Sequence, residues 1–509
     1  MIPRDVIKTA SSPTGRVNPP VGFFVRSTLI IGLSVALAPP AIAQTFNVLH
    51  TFTEVSGPIA TNSDGANPYA ELSLSGNVLY GTAKYGGKSG AGTVFSLNTD
   101  GAGFATAHHF TGGADGANPY AGLISSSNTL YGTASAGGNF NSGVVFSVKT
   151  NGNDFAVLHN FTTRANNSFG VFTNSDGAHP YAGLILTNNI LYGAANDGGT
   201  SGHGTLFAIN TDGSVFATMH SFSSGSGGAF SAAGLVLFGD ALYGTDFSTL
   251  GNGAVFAIFT SGTGFTNYYA FTISHLNSSG VLTNSDGANP HANLILSGNT
   301  LYGTTAYSGE AGNGTVFAVN TDGTGFVNLH SFAKGGYNQS GLFTNSDGAN
   351  PLAGLTLANN RLYGTASAGG RSGNGTVFML SLDGSGFTNL YDFTAMPPYP
   401  AFQTNSDGAN PFAGLVVSNN ILYGTTAYGG TSGNGTAFAL SFAPQLNITL
   451  FSGTNVVLTW PSGVAGFDYT GYGLQSAAEI TGPFTNITGA TNPFTNSIAG
   501  AQQFYRLRK

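Results

Sequence analysis

The sequence lacks cysteine and contains little charge. None of the 509 residues is cysteine, and only 7% are charged. The missing thiols exclude disulfide bonds, thiolate metal sites and a cysteine nucleophile. The apolar stretch near the N-terminus, Leu29 to Leu37, is far shorter than the ~20 residues of a membrane-spanning helix. The folded chain must therefore be stabilised by packing and by hydrogen bonds.

Positive charge is especially scarce. After the first 43 residues, 10 lysine and arginine residues stand against 20 aspartate and glutamate residues. Binding to phosphates requires a basic surface, so we expect no nucleic-acid partner. No helical period is visible in the repeated part of the chain. The sequence contains 77 glycines, and glycines help to separate the short alternating runs. This pattern favours an all-β fold over disorder.

The N-terminal segment has the layout of an export signal. Its basic region carries Arg4, Lys8, Arg16 and Arg26. An apolar stretch follows, and Ala41-Ile42-Ala43 then offers a small-x-small cleavage site before Gln44. This order is typical of a signal peptide. We predict a signal peptide over residues 1–43 and a mature chain without a transmembrane segment. Its expected location is extracellular or the outer cell surface, with the periplasm and a retained membrane anchor as less favoured alternatives.

The motif Leu-Tyr-Gly-Thr recurs seven times, at intervals of 51 to 61 residues. The copies begin at Leu79, Leu130, Leu191, Leu242, Leu301, Leu362 and Leu422. Only one copy changes the threonine, to Ala194. A period of this size indicates a repeat architecture.

Each repeat contains four short runs with the composition of β-strands. Examples are Ala353 to Leu357, Leu301 to Thr304, Gly375 to Phe378 and Phe326 to Phe332. Pairs that tolerate a positive φ, such as Asn359-Asn360, separate the first two runs and indicate hairpins. Four antiparallel strands repeated seven times predict a seven-bladed β-propeller of four-stranded blades over residues 44–442.

The order of the runs predicts how the ring closes. The fourth-strand pattern appears first at Phe46 to Phe52, before any Leu-Tyr-Gly motif, and no copy follows the last Gly-Thr-x-Phe run at Gly435 to Phe438. The seventh blade therefore lacks a fourth strand of its own. We expect the N-terminal strand to supply it and to leave no open sheet edge.

Residues 443–509 depart from the repeat and contain Trp460, the single tryptophan of the chain. The segment has four strand-like runs: Leu446 to Leu450, Val456 to Trp460, Tyr469 to Leu474 and Gln503 to Leu507. We predict a small C-terminal module that resembles a β-sandwich.

The fourth strand carries a recurrent ring. The slot is histidine in five repeats and tyrosine in two: His50, His108, His159, His220 and His330, with Tyr269 and Tyr391. A slot that accepts tyrosine favours a packing position with a polar tip over a metal ligand.

A second motif, Asp-Gly-Ala-Asn-Pro, precedes the first strand of most repeats. Its aspartates are Asp64, Asp115, Asp176, Asp286, Asp347 and Asp407. The residue after each proline adds a ring of Tyr69, Tyr120, Tyr181, His291, Leu352 and Phe412. In a propeller these loops would meet at one mouth of the central channel.

Three interpretations of these loops stay open. In the favoured one, the aspartate caps its own turn, the glycine supplies a positive φ and the proline fixes the start of the strand. In the second, the loop oxygens bind Ca²⁺, although the spacing lacks the alternation of a strong calcium loop. In the third, the carboxylates and rings form a sugar-binding site that includes Asp64, Asp115, Asp176, Asp286, Asp347, Asp407, Tyr69, Tyr120, Tyr181, His179 and His291.

Sequence motifs of enzymes are missing. The chain has no Gly-x-Ser-x-Gly elbow, no His-Glu-x-x-His and no phosphate-binding loop. Glycoside cleavage by two carboxylates is the remaining enzymatic alternative. For that case, the candidates for acid–base roles are His179 and His291 with Asp176 and Asp286.

The extended repeat motif resembles a known family. Residues 422–438 contain Leu-Tyr-Gly-Thr-Thr-x-x-Gly-Gly-x-x-Gly-x-Gly-Thr, followed by Ala437 in place of valine, and Phe438. This run resembles the GloVer tandem-repeat family of bacterial surface proteins over residues 46–442. The Leu301 copy has Ser308-Gly309 for Gly-Gly, and the fourth copy lacks Gly-Gly. The resemblance implies export and a variable C-terminal anchor or module, and it implies no activity.

Together these features predict an exported binding or interaction scaffold with its recognition surface on the loop face. A polysaccharide or another surface protein is the expected partner, and the protein is expected to be a monomer without a required cofactor. The alternatives are a carbohydrate-active hydrolase or lyase with its site at the channel mouth, and a purely structural display protein.

Overall fold

The computed structural model describes residues 43–223, 233–247, 251–339, 341–397, 403–444, 446–451, 455–479, 481–497 and 503–508. The chain divides into two compact units. One consists of Gln44–Phe442 together with Ala465–Phe467, and the other contains most of the residues after Phe442. The regular elements within these ranges are all β-strands, so the prediction of an all-β fold is confirmed.

Seven four-stranded antiparallel sheets make up the repeat unit in the described residues. We number them in chain order by their Leu-Tyr-Gly strand, which is the second strand of each sheet. Their strands are Ser73–Ser75, Val78–Ala83, Thr93–Asn98 and Ala105–His109 (sheet 1); Ile124–Ser126, Thr129–Ala134, Val144–Lys149 and Ala156–Asn160 (sheet 2); Ile185–Thr187, Ile190–Ala195, Thr205–Asn210 and Phe216–Ser221 (sheet 3); Val236–Phe238, Ala241–Asp246, Ala254–Phe259 and Thr266–Ala270 (sheet 4); Ile295–Ser297, Thr300–Thr305, Thr315–Asn320 and Val327–Ser331 (sheet 5); Thr356–Ala358, Arg361–Ala366, Thr376–Ser381 and Thr388–Asp392 (sheet 6); and Val416–Ser418, Ile421–Thr426, Thr436–Ala443 and Ala43–Thr51 (sheet 7).

The first strand of each sheet is shorter than its apolar run predicted. In sheet 6 it begins at Thr356, although the run starts at Ala353. The carbonyl of Ala353 accepts a hydrogen bond from Thr304 Oγ1 of the preceding sheet, at 3.0 Å. Since that carbonyl points sideways to a neighbour, it is not part of the ladder of its own sheet.

This sideways hydrogen bond recurs from sheet to sheet. The threonine of the Leu-Tyr-Gly-Thr motif donates to an alanine carbonyl of the next repeat in six pairs: Thr82 to Ala121, Thr133 to Ala182, Thr245 to Ala292, Thr304 to Ala353, Thr365 to Ala413 and Thr425 to Ala70. The last pair joins the seventh repeat to the first at 3.1 Å. The junction that begins at Ala194 has no hydroxyl to donate.

The N-terminal strand is embedded in sheet 7. It lies next to Thr436–Ala443, and the Phe52 amide donates to the Gly435 carbonyl at 3.2 Å. The Phe46 ring stacks on Tyr391 and Phe438 at centroid distances of 4.2 and 5.1 Å. Phe52 itself is fully buried in a cluster with residues of the first repeat.

Three short hairpins project from the connections that precede the aspartate loops. They are Ala165–Asn166 with Phe172–Thr173, His275–Leu276 with Leu282–Thr283, and Gly336–Tyr337 with Phe343–Thr344. Their tips expose apolar side chains such as Phe169, Leu276 and Tyr337.

In its described residues, the second unit contains two three-stranded sheets. The sheets are formed by Asn447–Phe451, Asn455–Thr459 and Phe494–Ser497, and by Thr485–Asn486, Gly473–Ala477 and Phe504–Arg508. Their side chains share one core, which includes Leu458, Trp460, Leu474 and Tyr505. The predicted strand at Tyr469 to Leu474 is displaced to Gly473–Ala477, because residues 469–472 form a turn closed by a Tyr472 N–H to Tyr469 carbonyl hydrogen bond.

Part of the segment after residue 442 belongs to the repeat unit. Ala465–Phe467 belongs to that unit and lies against Tyr363 of sheet 6. The Tyr363 hydroxyl donates to the Ala465 carbonyl at 2.6 Å, and the Phe467 ring stacks on Tyr363 at 5.3 Å.

In the described ranges, no helix is long and apolar enough to cross a membrane. The predicted signal peptide lies outside these ranges except for Ala43.

The burial of Phe52 generates a stability prediction. Phe52→Ala is expected to lower the free energy of unfolding by about 3–5 kcal/mol, since it leaves a cavity among packed rings. Val48→Ala on the same strand is the control, because Val48 is 36% exposed and its loss is expected to cost under about 1 kcal/mol. Urea unfolding followed by fluorescence measures both. Equal effects of the two substitutions would contradict the packing described for the N-terminal strand.

Candidate functional site

The carboxylates of the repeated aspartate loops point toward the end of the fourth strand that precedes each loop. Asp176 shows the arrangement. Its Oδ2 atom lies 2.9 Å from His159 Nε2 and accepts from the Thr162 backbone N–H at 3.0 Å, while its Oδ1 accepts from the Thr162 hydroxyl. Both carboxylate oxygens are therefore held by the protein itself.

The other five copies repeat this geometry. The aspartate-to-ring distances lie between 2.7 and 3.1 Å for Asp64 with His50, Asp115 with His108, Asp286 with Tyr269, Asp347 with His330 and Asp407 with Tyr391. Each aspartate also accepts from the backbone N–H of the residue three positions after that ring: Thr53, Thr111, Thr272, Ala333 and Thr394. Histidine and tyrosine are interchangeable because both present a donor at the same place.

The electrostatics of the loop favour the ionised carboxylate. Burial alone raises the pKa of Asp64 and Asp176, but the hydrogen bonds from the histidine and the threonine outweigh it and lower the pKa of both. Donors surround these oxygens, which is the opposite of what a cation requires. No group of three or more His, Asp or Glu side chains is placed to hold a metal ion in the described ranges.

An asparagine, and not the aspartate, caps the turn. Asn62 Oδ1 accepts from the amides of Gly65 and Gly87 at 2.9 and 2.8 Å. Gly65 has a φ of +98°, and a Cβ there would lie 2.4 Å from Thr93 Oγ1. The same cap is made by Asn174, Asn284, Asn345 and Asn405. The favoured sequence interpretation was therefore wrong about which side chain caps the turn, because the aspartate reaches the preceding strand instead.

The residue before each proline adopts a left-handed conformation. Asn67 has a φ of 55°, and its Nδ2 donates to the Ala427 carbonyl at 2.8 Å. His179 occupies the equivalent slot with a φ of 50°. Its Nδ1 atom lies 3.0 Å from Asp197, which also accepts from Arg164 at 2.8 Å.

The structure does not join the histidines and aspartates that the sequence suggested for acid–base roles. Asp176 is bound by His159, and His179 by Asp197. Asp286 is bound by Tyr269. The His291 ring lies 4.3 Å from the ring of Phe247, and burial lowers the pKa of His291 to about 4. Neither histidine is therefore paired with its proposed aspartate.

Four of the six residues after the prolines come together, as a row of rings that does not include His291 or Leu352. Tyr69 lies between Phe412 and Tyr120 at centroid distances of 5.2 and 5.1 Å, tilted by 32° against Phe412 and stacked on Tyr120. Tyr181 meets Tyr120 edge-on at 5.4 Å. The Tyr428 hydroxyl lies 2.6 Å from that of Tyr69.

We define the aromatic arc as six rings contributed by the repeats of sheets 7, 1, 2 and 3: Phe412, Tyr428, Tyr69, Tyr85, Tyr120 and Tyr181. Tyr85 and Tyr428 are the most exposed of them, at 39% and 38%. Burial raises the pKa of Tyr69, Tyr120 and Tyr181, so their hydroxyls stay protonated at neutral pH. The arc offers neutral hydroxyl donors beside apolar ring faces.

Sequence reasoning missed Tyr85 and Tyr428, although a signal was present. Both stand three residues after Gly-Thr in the Leu-Tyr-Gly-Thr strand, as does Tyr307. Each pairs its backbone with the alanine of an aspartate loop, as in the bridges Ala66 to Tyr85 and Ala409 to Tyr428. These bridges bring the second ring of each repeat beside the ring that follows the proline.

Glu71 was also missed, and it departs from a repeated pattern. Five of the seven equivalent positions are glycine and one is asparagine: Gly122, Gly183, Gly234, Gly354, Gly414 and Asn293. A Cβ at Gly414 would lie 2.9 Å from the Glu71 carboxylate. Glu71 retains some accessible surface, yet protein atoms surround it closely, and burial raises the pKa of its carboxyl to about 7.

The sequence was compared with known families and structures. The repeat described as the Gloeobacter/Verrucomicrobia repeat matches residues 37–171 and 277–485, which is more than half of the chain. Among curated proteins none matches.

Solved structures show distant likeness. An oligogalacturonate lyase in complex with manganese is 9% identical, with a TM-score of 0.46, covering 79% of this chain and 98% of that one. A putative 6-phosphogluconolactonase from Bacteroides fragilis is 13% identical, with a TM-score of 0.40 over 66% and 86%. TolB from Acinetobacter baumannii is 12% identical, with a TM-score of 0.33 over 58% of each chain. Likenesses at this level carry no information about ligands.

The raised pKa of Glu71 generates a prediction about pH. The pKa of the Glu71 carboxyl is higher in the folded chain, at about 7, than its ordinary value of 4.5. The folded chain therefore binds more protons at this group, and the contribution of Glu71 to stability falls as pH rises from about 4.5 to about 7. Glu71→Gln removes this penalty. The variant is expected to gain roughly 2–3 kcal/mol over the natural chain at pH 8 and little at pH 4.5.

Urea unfolding at pH 4.5, 6 and 8 measures this difference. Glu310→Gln is the control, because Glu310 is exposed and its replacement is expected to have a similar small effect at each pH. A Glu71→Gln difference that does not change with pH would refute the buried environment of Glu71.

Proposed function

We propose that this chain, which belongs to the Gloeobacter/Verrucomicrobia repeat family, is a repeat scaffold that binds polysaccharide at the aromatic arc. The contiguous row of the rings of Phe412, Tyr69 and Tyr120 supports this proposal most directly. Apolar sugar faces stack on aromatic rings, and neighbouring hydroxyls exchange hydrogen bonds with sugar hydroxyls. A row of rings drawn from several repeats suits an extended polymer better than a small ligand.

The proposal includes a closed ring of seven blades over residues 44–442. Two observations support closure. The Thr425 to Ala70 hydrogen bond repeats, between the last and first repeats, the contact that other neighbouring repeats make. The N-terminal strand stands in sheet 7 where the other sheets have their fourth strand. In such a ring the aspartate loops share one face, and the arc occupies part of it.

The same proposal assigns residues 1–43 to an export signal and residues 443–509 to a small C-terminal module. The proposal also includes that the scaffold is a monomer and that it acts at the outer cell surface or outside the cell. Support comes from the order of basic, apolar and small residues before Gln44. Recovery from the culture medium of a chain that begins at Gln44 tests the assignment, whereas a chain kept in the cytoplasm with residues 1–43 attached would refute it.

Binding is favoured over catalysis because the carboxylates are committed. Two-carboxylate glycoside hydrolysis requires a free acid and a free base or nucleophile on either side of the scissile bond. The aspartates of the loops accept hydrogen bonds on both oxygens in the copies at Asp64 and Asp176. Glu71 follows Tyr69 of the arc by two residues, and burial raises the pKa of its carboxyl to about 7. Among the described residues, this acid favours a hydrolase or lyase as the alternative.

Replacing exposed rings of the arc tests the proposal. The chain is passed over columns of immobilised neutral and acidic polysaccharides, and the soluble fraction is searched for new oligosaccharides by mass spectrometry. Tyr85→Ala combined with Tyr428→Ala is expected to weaken retention about tenfold or more, which corresponds to the loss of about 1.4 kcal/mol. Tyr337→Ala is the matched control, since Tyr337 is a more exposed tyrosine on a projecting hairpin.

Retention of the double variant equal to that of the natural chain, with both proteins melting alike, would refute binding at the arc. Release of oligosaccharides would replace the proposal by its enzymatic alternative, and Glu71→Gln would then be expected to abolish the release.

A further inference from the structure

Lys84 lies at the centre of the aromatic arc. Its Nζ atom is 5.2 Å from the ring centroid of Tyr69, 4.9 Å from that of Tyr85 and 5.1 Å from that of Tyr120. An ammonium group over the face of a ring is attracted by the negative face of the π-system. Three rings from two neighbouring repeats therefore hold the lysine head in place without neutralising its charge.

No carboxylate of the described residues forms an ion pair with Lys84. Asp197, whose charge acts on Tyr181 of the arc, pairs with Arg164 at 2.8 Å and with His179 at 3.0 Å. The loop aspartates Asp64 and Asp115 of the two repeats that surround Lys84 are turned toward His50 and His108. The Lys84 ammonium is therefore paired with none of these three carboxylates, although the whole chain has a net charge of −7.

The backbone fixes the position of Lys84 as well. Its N–H donates to the Asn67 carbonyl at 3.2 Å, and its carbonyl accepts from Asn118 Nδ2 at 3.1 Å. Lys84 is thereby tied to the aspartate loops of repeats 1 and 2 at once. In the other six repeats the equivalent position is Ser135, Asn196, Phe247, Ala306, Ser367 or Ala427, so the cation belongs to one place in the row and is not part of the repeated framework.

We propose that the aromatic arc binds an acidic polysaccharide, with the carboxylate of a uronate unit on the Lys84 ammonium and the sugar rings on the tyrosine faces. This inference rests on the proposed function, since it names the class of polymer that the arc selects. An ammonium held by rings keeps its donors for an anion, and it loses little side-chain freedom when the anion binds. A neutral polymer would use the rings alone.

A pair of matched polymers tests the inference. Alginate is a polyuronate, and its propylene glycol ester keeps the backbone while the charge is removed. The natural chain is expected to bind alginate at least tenfold more tightly than the ester in 50 mM salt, and the difference is expected to shrink in 1 M salt, where exposed charges are screened. Lys84→Met keeps most of the apolar stem and is expected to abolish the difference between the two polymers.

Two control variants separate the role of Lys84 from general charge. Lys88→Met removes an exposed lysine of the same loop and is expected to keep the preference for alginate. Lys84→Arg keeps the charge and is expected to keep most of the preference. The thermal midpoint of each variant is compared with that of the natural chain, so that a misfolded protein is recognised.

Each outcome has one meaning. Equal affinity for alginate and its ester in the natural chain, or an unchanged preference in Lys84→Met, would overturn the inference and leave the arc as a site for neutral polymer. If the natural chain binds neither form nor any polymer of the column panel, the proposed function itself fails. A preference lost in Lys84→Met and kept in both controls supports the inference.

Discussion

The hydrogen bond from a fourth-strand ring to the aspartate of the following loop is the interaction on which the repeat depends. It joins the end of one sheet to the loop that begins the next, as His159 does with Asp176 at 2.9 Å. The same His159 ring stacks on Phe216 of the next sheet at 3.7 Å. One side chain therefore fixes both the polar loop and the apolar seam between neighbouring sheets. A charge-assisted bond of this kind is stronger than a neutral one, and it is repeated six times.

This constraint explains where a ligand can and cannot bind. The carboxylates that looked most suited to chemistry are used to connect sheets, so the face they approach is left with rings and hydroxyls. The connection between sheets 3 and 4 has no Asp-Gly-Ala-Asn-Pro motif, and it shows what the loss of the aspartate costs. His220 stacks on Phe265 at 3.9 Å as its equivalents do, but its buried Nε2 has no hydrogen-bond partner in the described part of the chain, and burial lowers the pKa of His220.

Local features of this fold could be predicted from the sequence, and contacts between repeats could not. The Leu-Tyr-Gly motifs and the Asn-Asn pairs define strands and turns through nearest neighbours, and the structure has four-stranded sheets around them. The direction of Asp176 depends on a ring 17 residues earlier, so composition alone suggested a cap. Lys84 acts through Tyr120 of another repeat, which no local pattern reveals. Glu71 could have been found, because a glutamate in a column of glycines is visible once the repeats are aligned.

A double-mutant cycle on one ring–aspartate pair tests most directly whether this hydrogen bond connects the sheets. The free energy of unfolding at pH 7 is measured by urea for the natural chain, His159→Ala, Asp176→Ala and the double variant. We expect a coupling of about 1.5–3 kcal/mol between the two positions, as for other hydrogen bonds to a charged group. Additive effects, with a coupling near zero, would mean that the aspartates are not what connects one sheet to the next.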